Sequence, residues 1–303
     1  MSRFAKYAWM VVGYTVVVIL WGSVVRITGS GAGCGNDWPA CHGEIIPRPE
    51  QIETLIEFSH RISSAFSGVL VLVLVVWALR KFSGRSPVRW WSLAGLFFIL
   101  VEGWIGMMLV RLELVADNAS LDRAIWVAGH LGNTFILLAT LTVTAWLASR
   151  SSAVRARGTW RLRGWMSLAL LAVLVLSAAG AVTALGDTLF PAESLVEGLR
   201  QDLDPASNFL VQLRVIHPGL AIATSVGLFW LGQYLLRQEL GHRANRMVTV
   251  VYGLMGLQIL AGFVTVIFLA PPFMQLVHLL LADLFWISLV VLSANVLTAP
   301  EEI

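Results

Sequence analysis

Apolar residues fall into eight long runs divided by short polar segments: 8–26, 58–79, 91–110, 125–148, 165–185, 212–236, 247–269 and 275–297. A helix needs about 20 such residues to cross a hydrocarbon core. Val69–Leu79 and Leu168–Leu176 are apolar on every helical face, which suits lipid and tight helix packing. The pattern predicts an all-α membrane protein of eight transmembrane helices. Arg3 and Lys6 precede the first run, and Gly31-Ala32-Gly33-Cys34 has a faint likeness to a lipoprotein cleavage box. The run from Ala8 to Val25 exceeds the apolar core of a signal peptide, and Gly31 stands where that box wants a larger apolar residue, so a retained helix is expected. No Arg- and Ser-rich transit segment leads it, which favours a bacterial plasma membrane.

Composition agrees with the pattern. The 303 residues are 57% hydrophobic and 13% charged, with mean hydropathy +0.78; soluble domains run at about 45–50% apolar and about 25% charged. A soluble enzyme, a disordered regulator and a nucleic-acid reader are excluded. The net charge of +3 becomes informative through its placement. Fourteen of the 21 Lys and Arg lie at the N-terminus and in the 80–90, 149–164 and 237–246 loops. The remaining seven, with most carboxylates, fall on the other side. Short loops rich in Lys and Arg stay cytoplasmic, so both termini are expected inside, with the 27–57 and 186–211 loops outside. Cys34 and Cys41 share the first outward loop, where a disulfide persists. A zinc site would need further Cys or His partners, and only His42 is near.

The second half repeats the first in outline, which predicts two tandem pseudo-symmetric four-helix bundles, 1–150 and 151–303. Thr28-Gly29-Ser30-Gly31 answers to Thr183-Ala184-Leu185-Gly186, and Glu102-Gly103-Trp104-Ile105-Gly106 to Gln258-Ile259-Leu260-Ala261-Gly262. His60 and His217 begin spans two and six; His130 and His278 begin spans four and eight. An even number of spans per repeat makes the halves parallel. Four of the six histidines thus occupy matching outer helix ends, where ionisable groups are costly and mark function. One such histidine alone would read as a hydrogen-bonded helix end. Two imidazoles facing each other across a four-helix bundle suit the axial positions of a haem iron, one haem per half. Zinc or copper would recruit a third or fourth ligand.

Arg26, Arg61, Arg111, Arg123 and Arg214 lie near the outer boundary. They are candidates both for pairing with haem propionates and for anchoring helix ends at the headgroups. Glu57 precedes His60 by three residues, on the same helical face. It serves either the helix dipole or proton transfer beside a reacting haem, and Arg214 holds the matching place in the second half. This asymmetry suggests one half that does chemistry and one that holds a redox cofactor. Glu102 and Asp283 are further intramembrane carboxylates that could hydrogen-bond within the bundle or relay protons, the structural role being preferred, and Leu195–Asp204 reads as a short surface helix.

These residues resemble the haem A synthase family. The likeness rests on Thr28-Gly29-Ser30-Gly31 with Cys34, Asp37-Trp38-Pro39, Cys41-His42-Gly43, Pro47, Glu57-Phe58-Ser59-His60-Arg61, His130, His217-Pro218 and His278, and covers the whole chain. It implies a haem B cofactor between His217 and His278. It implies haem O as substrate near His60 and His130, with Glu57 taking part. The implied reaction oxidises a ring methyl to formyl, giving haem A, and needs molecular oxygen and an electron donor that the sequence does not identify. The family also links the cysteine pair to activity; here a structural loop clasp is preferred. Some relatives carry a second cysteine pair after span five, where this chain has Gly186-Asp187-Thr188-Leu189-Phe190-Pro191. The implied partners are the lipid bilayer and a haem O synthase, with homo-oligomerisation left open. Two other classes remain. A two-haem membrane cytochrome carrying electrons between quinol and an outer acceptor explains the histidines but not Glu57 or the cysteine loop. A transporter fits poorly, because the histidines gather at one face rather than the midplane.

Overall fold

The computed structural model describes residues 1–48, 51–150, 154–238 and 240–300. Within them the long helices are α1 (Arg3–Ile27), α2 (Ile52–Lys81), α3 (Pro87–Arg111), α4 (Leu121–Ala148) and α5 (Trp160–Leu189). Two short helices follow, α6 (Leu195–Leu203) and α7 (Phe209–Gln212), and then α8 (Ile216–Leu236), α9 (His242–Ile267) and α10 (Pro272–Leu297). Eight stretches are long and apolar enough to cross a membrane, the sixth being Phe209–Leu236. The chain is a multi-pass, all-α membrane protein.

Most helices begin three to six residues before their apolar run. The capping residues lie in the polar segments, so the start of the helix and the start of the apolar run are set by different residues. Ser2, Ser120 and Thr159 accept hydrogen bonds from the N–H groups of Ala5, Arg123 and Leu162, each such cap contributing about 1 kcal/mol. Pro87 and Pro272 open α3 and α10, where a missing N–H costs nothing. The sixth span departs from a single helix. The chain passes through α7 and one 3-10 turn, Leu213–Val215, before α8 begins. Arg214 therefore sits on that turn, while Glu57, its expected counterpart, sits inside α2.

Helices α1 to α4 pack on one another, as do α5, α8, α9 and α10, and the two groups meet where α4 and α1 lie against α5 and α10. Helix α4 is the most enclosed. Its Phe135, Leu137, Leu138 and Leu141 share a buried core with Trp286 and Leu289 of α10. The Trp286 indole N–H donates to the Phe135 carbonyl at 2.7 Å, and the two rings stack 5.4 Å apart. Opposite the histidine end, Val154–Ala156 pairs antiparallel with Thr298–Pro300. Arg157 ties that corner by donating to the carbonyls of Leu240, Asn295 and Val296. The boundary expected after Arg150 adjoins residues 151–153, outside the described residues.

Candidate functional site

The four singled-out histidines stand at one end of the molecule, between the second and tenth residues of α2, α4, α8 and α10. Each ring lies against a glycine of a neighbouring helix. A Cβ on Gly22 of α1 would come within 2.9 Å of His60, and one on Gly180 of α5 within 2.9 Å of His217. The corresponding distances are 3.1 Å from Gly262 of α9 to His278 and 3.9 Å from Gly106 of α3 to His130. Four hollows too small for a methyl, or filled by one, thus cradle four imidazoles. The Gly22–Gly180 pairing runs 158 positions apart, against 155 for the Gly31–Gly186 match read from sequence. The structure explains the slip: Gly29 at φ +67° ends α1 early, whereas Gly186 lies inside α5.

In the second half the ring centres of His217 and His278 are 6.4 Å apart with planes at 85°. Nδ1 of His217 lies 3.2 Å from the Leu176 carbonyl, which fixes the proton on Nδ1 and frees Nε2 as an acceptor or ligand. The amide Nε2 of Gln258 lies 3.2 Å from Nε2 of His278. In the first half Glu102 of α3, read from sequence as structural, lies beside His130, its Oε1 3.3 Å from Nδ1. The Asn133 amide also donates to Glu102 at 2.5 Å, and the Thr134 hydroxyl donates to the other oxygen. Sequence reasoning missed this cluster, although Asn133 and Thr134 follow His130 by three and four residues, the spacing that shares a helical face. Nδ1 of His60, of His130 and of His278 is buried with no hydrogen-bond partner among the described residues, the Glu102 carboxylate standing within ion-pair reach of His130 but outside hydrogen-bond geometry.

Glu57 is 3% exposed, and both its oxygens are occupied. Oε2 accepts from the Cys34 N–H at 2.8 Å, and Oε1 accepts from Arg61 at 2.5 and 3.0 Å. Arg61 also donates to the carbonyls of Asp37 and Ala40. Thr54 donates to the Gly33 carbonyl at 2.6 Å, and Gly33 passes so near α2 that a Cβ there would be 2.4 Å from the Glu53 carbonyl oxygen. Cys34 and Cys41 form a disulfide. The first turns of α2 thus clasp the cysteine loop from below, and Glu57 reaches that loop rather than His60.

Each of the other arginines also has a partner. Arg26 crosses to the second half, donating to the Ala184 carbonyl, Thr188 and Gln275. Arg111 donates to the Trp38 carbonyl at 3.4 Å, and Arg123 to those of Ala116 and Asn118. Arg214 pairs with Asp187 and Asp202, both at 3.2 Å. Burial pushes the Asp202 carboxyl up and the Arg214 guanidinium opposes it. Asp202 belongs to α6, the surface helix expected at Leu195–Asp204. Asp283 is fully buried, its oxygens without hydrogen-bond partners among the described residues.

Over residues 5–290 the chain matches COX15-CtaA, described as "Cytochrome oxidase assembly protein". It is 44% identical over 296 residues to a protoheme IX farnesyltransferase of Thermus thermophilus, a match covering 98% of this chain and 49% of that protein. It is 38% identical over 133 residues to a heme A synthase of Halalkalibacterium halodurans, covering 44% of this chain and 42% of that protein. A heme A synthase of Alkalihalophilus pseudofirmus is 41% identical over 91 residues, 30% of this chain and 31% of its own length. The chain thus spans about half, or less, of the length of these relatives. The match over nearly all of its length shows that the chain belongs to the COX15-CtaA family of cytochrome oxidase assembly proteins.

Proposed function

We propose that the chain is a haem A synthase, oxidising the ring methyl of haem O to the formyl group of haem A. The observation that carries this reading is the pair of imidazoles in each half at one end of the molecule, every ring seated on a glycine. In the second half the 6.4 Å between ring centres leaves room for one metal atom, since metal–imidazole bonds are about 2 Å long. Among the described residues no group of three His, Cys, Asp or Glu side chains comes together, so each donor set is a pair. The residues therefore fit a haem, whose iron His217 and His278 in one half, and His60 and His130 in the other, would hold.

His217 and His278 hold haem B, and His60 and His130 hold haem O as the substrate. Bound haem supplies an iron that exchanges single electrons and, with molecular oxygen, the oxidising power for the methyl group. The protein's own contribution is placement. Leu176 fixes the His217 tautomer, and the glycine hollows set the ring positions. Glu57, one turn before His60, is the carboxylate that takes part in the first half, held in place by the Cys34 N–H and Arg61. The asymmetry of the halves supports this division, since the second half has Arg214 near the place of Glu57 and no cysteine loop. The two halves, 1–150 and 151–303, are taken as pseudo-symmetric bundles.

The Lys and Arg distribution supports cytoplasmic termini and haem sites at the outer face, in a membrane read as a bacterial plasma membrane. A relative named for farnesylating protohaem, half of which resembles this chain, supports a haem O synthase as the partner that hands over substrate. The test is haem extraction from protein purified out of cells with and without haem O synthesis. Haem A is expected only where haem O is made. Haem B alone in both preparations would contradict the enzyme and favour the two-haem electron carrier.

A further inference from the structure

Glu102 is the one carboxylate within ion-pair reach of any of the four histidines among the described residues. Its place on α3 corresponds in the repeat to Gln258 on α9, 156 positions later, and both face the histidine of the following helix. The first half thus sets a carboxylate beside its histidine where the second sets a neutral amide. The carboxylate is held by two donors of α4. Asn133, which also donates to the Phe98 carbonyl at 3.0 Å, donates to Oε2. The Thr134 hydroxyl, with one proton to give, lies within donating reach of both Oε1 and the His130 carbonyl. Oε1 lies 3.3 Å from Nδ1 of His130, within ion-pair reach, and that nitrogen is buried with no hydrogen-bond partner of its own among the described residues. The second half has no such support, because the residues three and four after His278 are Leu281 and Ala282.

We infer that Glu102 is a positioning residue that takes the Nδ1–H of His130, turns Nε2 toward the substrate iron and makes this imidazole the most electron-rich of the four ligands. A carboxylate on the far nitrogen fixes the tautomer and raises the basicity of the ligating one. A more basic ligand favours the ferric over the ferrous state of the iron it binds. The two halves then differ electronically as well as in their loops: Glu102 lowers the potential of the reacting haem relative to the cofactor haem beside Gln258. This inference rests on the haem reading above.

The test uses holoprotein purified anaerobically from cells that make haem O, so that the first pocket keeps unreacted substrate. His130→Ala comes first: it should remove the haem O signal and leave haem B. If it removes neither, the haem reading fails and the role of Glu102 with it. Given that control, E102Q should shift the ferric–ferrous equilibrium of the haem O at least tenfold toward ferrous. That is a rise of about 59 mV or more for one electron. The electron-paramagnetic signature of the same haem should change, and haem B should stay as in the wild type. An unchanged potential and signature with haem O still bound would reduce Glu102 to a clasp between α3 and α4. N133A decides the case in which E102Q loses its haem. It weakens the clasp but leaves the carboxylate at His130, so the potential should stay within threefold of wild type in equilibrium terms. A tenfold shift in N133A would overturn the inference.

Discussion

His217 and Gly180 meet without a Cβ between them, and that contact is exact enough to test with one methyl group. The added atom of Gly180→Ala would lie 2.9 Å from Cε1 of His217, closer than carbon atoms approach at optimal contact, about 3.5–4.0 Å. Either the imidazole leaves its place against Leu176 or α5 moves. Displacing a group that orients a metal ligand costs about 10–100-fold in affinity, so haem B retention is expected to fall by that factor. Gly164→Ala in the same helix meets nothing within 4 Å and should leave haem B intact, since alanine suits a helix interior better than glycine. Haem absorbance per protein in the two variants checks the pair. Equal retention would remove the glycine hollows from the site. The histidines were legible in the sequence because the repeat marks them. Of their glycines, Gly106 and Gly262 stood in the repeat match without a role and Gly22 and Gly180 went unmarked, because helices rich in small residues give no sign of which glycine faces a ring.

The first turns of α2 and the cysteine loop behave as one element. Glu57, Arg61 and Thr54 bond Cys34, Asp37, Ala40 and Gly33, and the disulfide closes the loop on itself. Closing so short a loop contributes about 2 kcal/mol by constraining the open chain. The double variant Cys34→Ser with Cys41→Ser should therefore raise local opening about 30-fold. Hydrogen exchange of the Cys34 and His42 amides reports it, and the haem B of the second half should be unaffected. Unchanged exchange would mean that the Glu57–Arg61 contacts alone hold the loop. Helix ends show the limit of reading elements from apolar runs. The runs gave the eight spans, but capping serines and prolines extended most of them, and the 3-10 turn at Leu213–Val215 left no periodic trace. The surroundings of Glu102 were hidden for a related reason. A lone carboxylate in an apolar run looks structural until its neighbour across α4 is known.

At the scale of the molecule, two four-helix groups share one seam. Phe135 and Trp286 stack across it, and Arg26 reaches from α1 to Thr188 and Gln275. Contacts so distant in sequence are set by packing, which no local pattern encodes, so the seam was invisible where the two halves were plain. The division of labour between the halves is tested most directly by the haem content of two variants purified from cells supplying haem O. His217→Ala is expected to lose haem B, while His60→Ala is expected to keep haem B and lose haem O and haem A. Loss of haem B from His60→Ala with its retention in His217→Ala would contradict the assignment of cofactor and substrate to the two pockets.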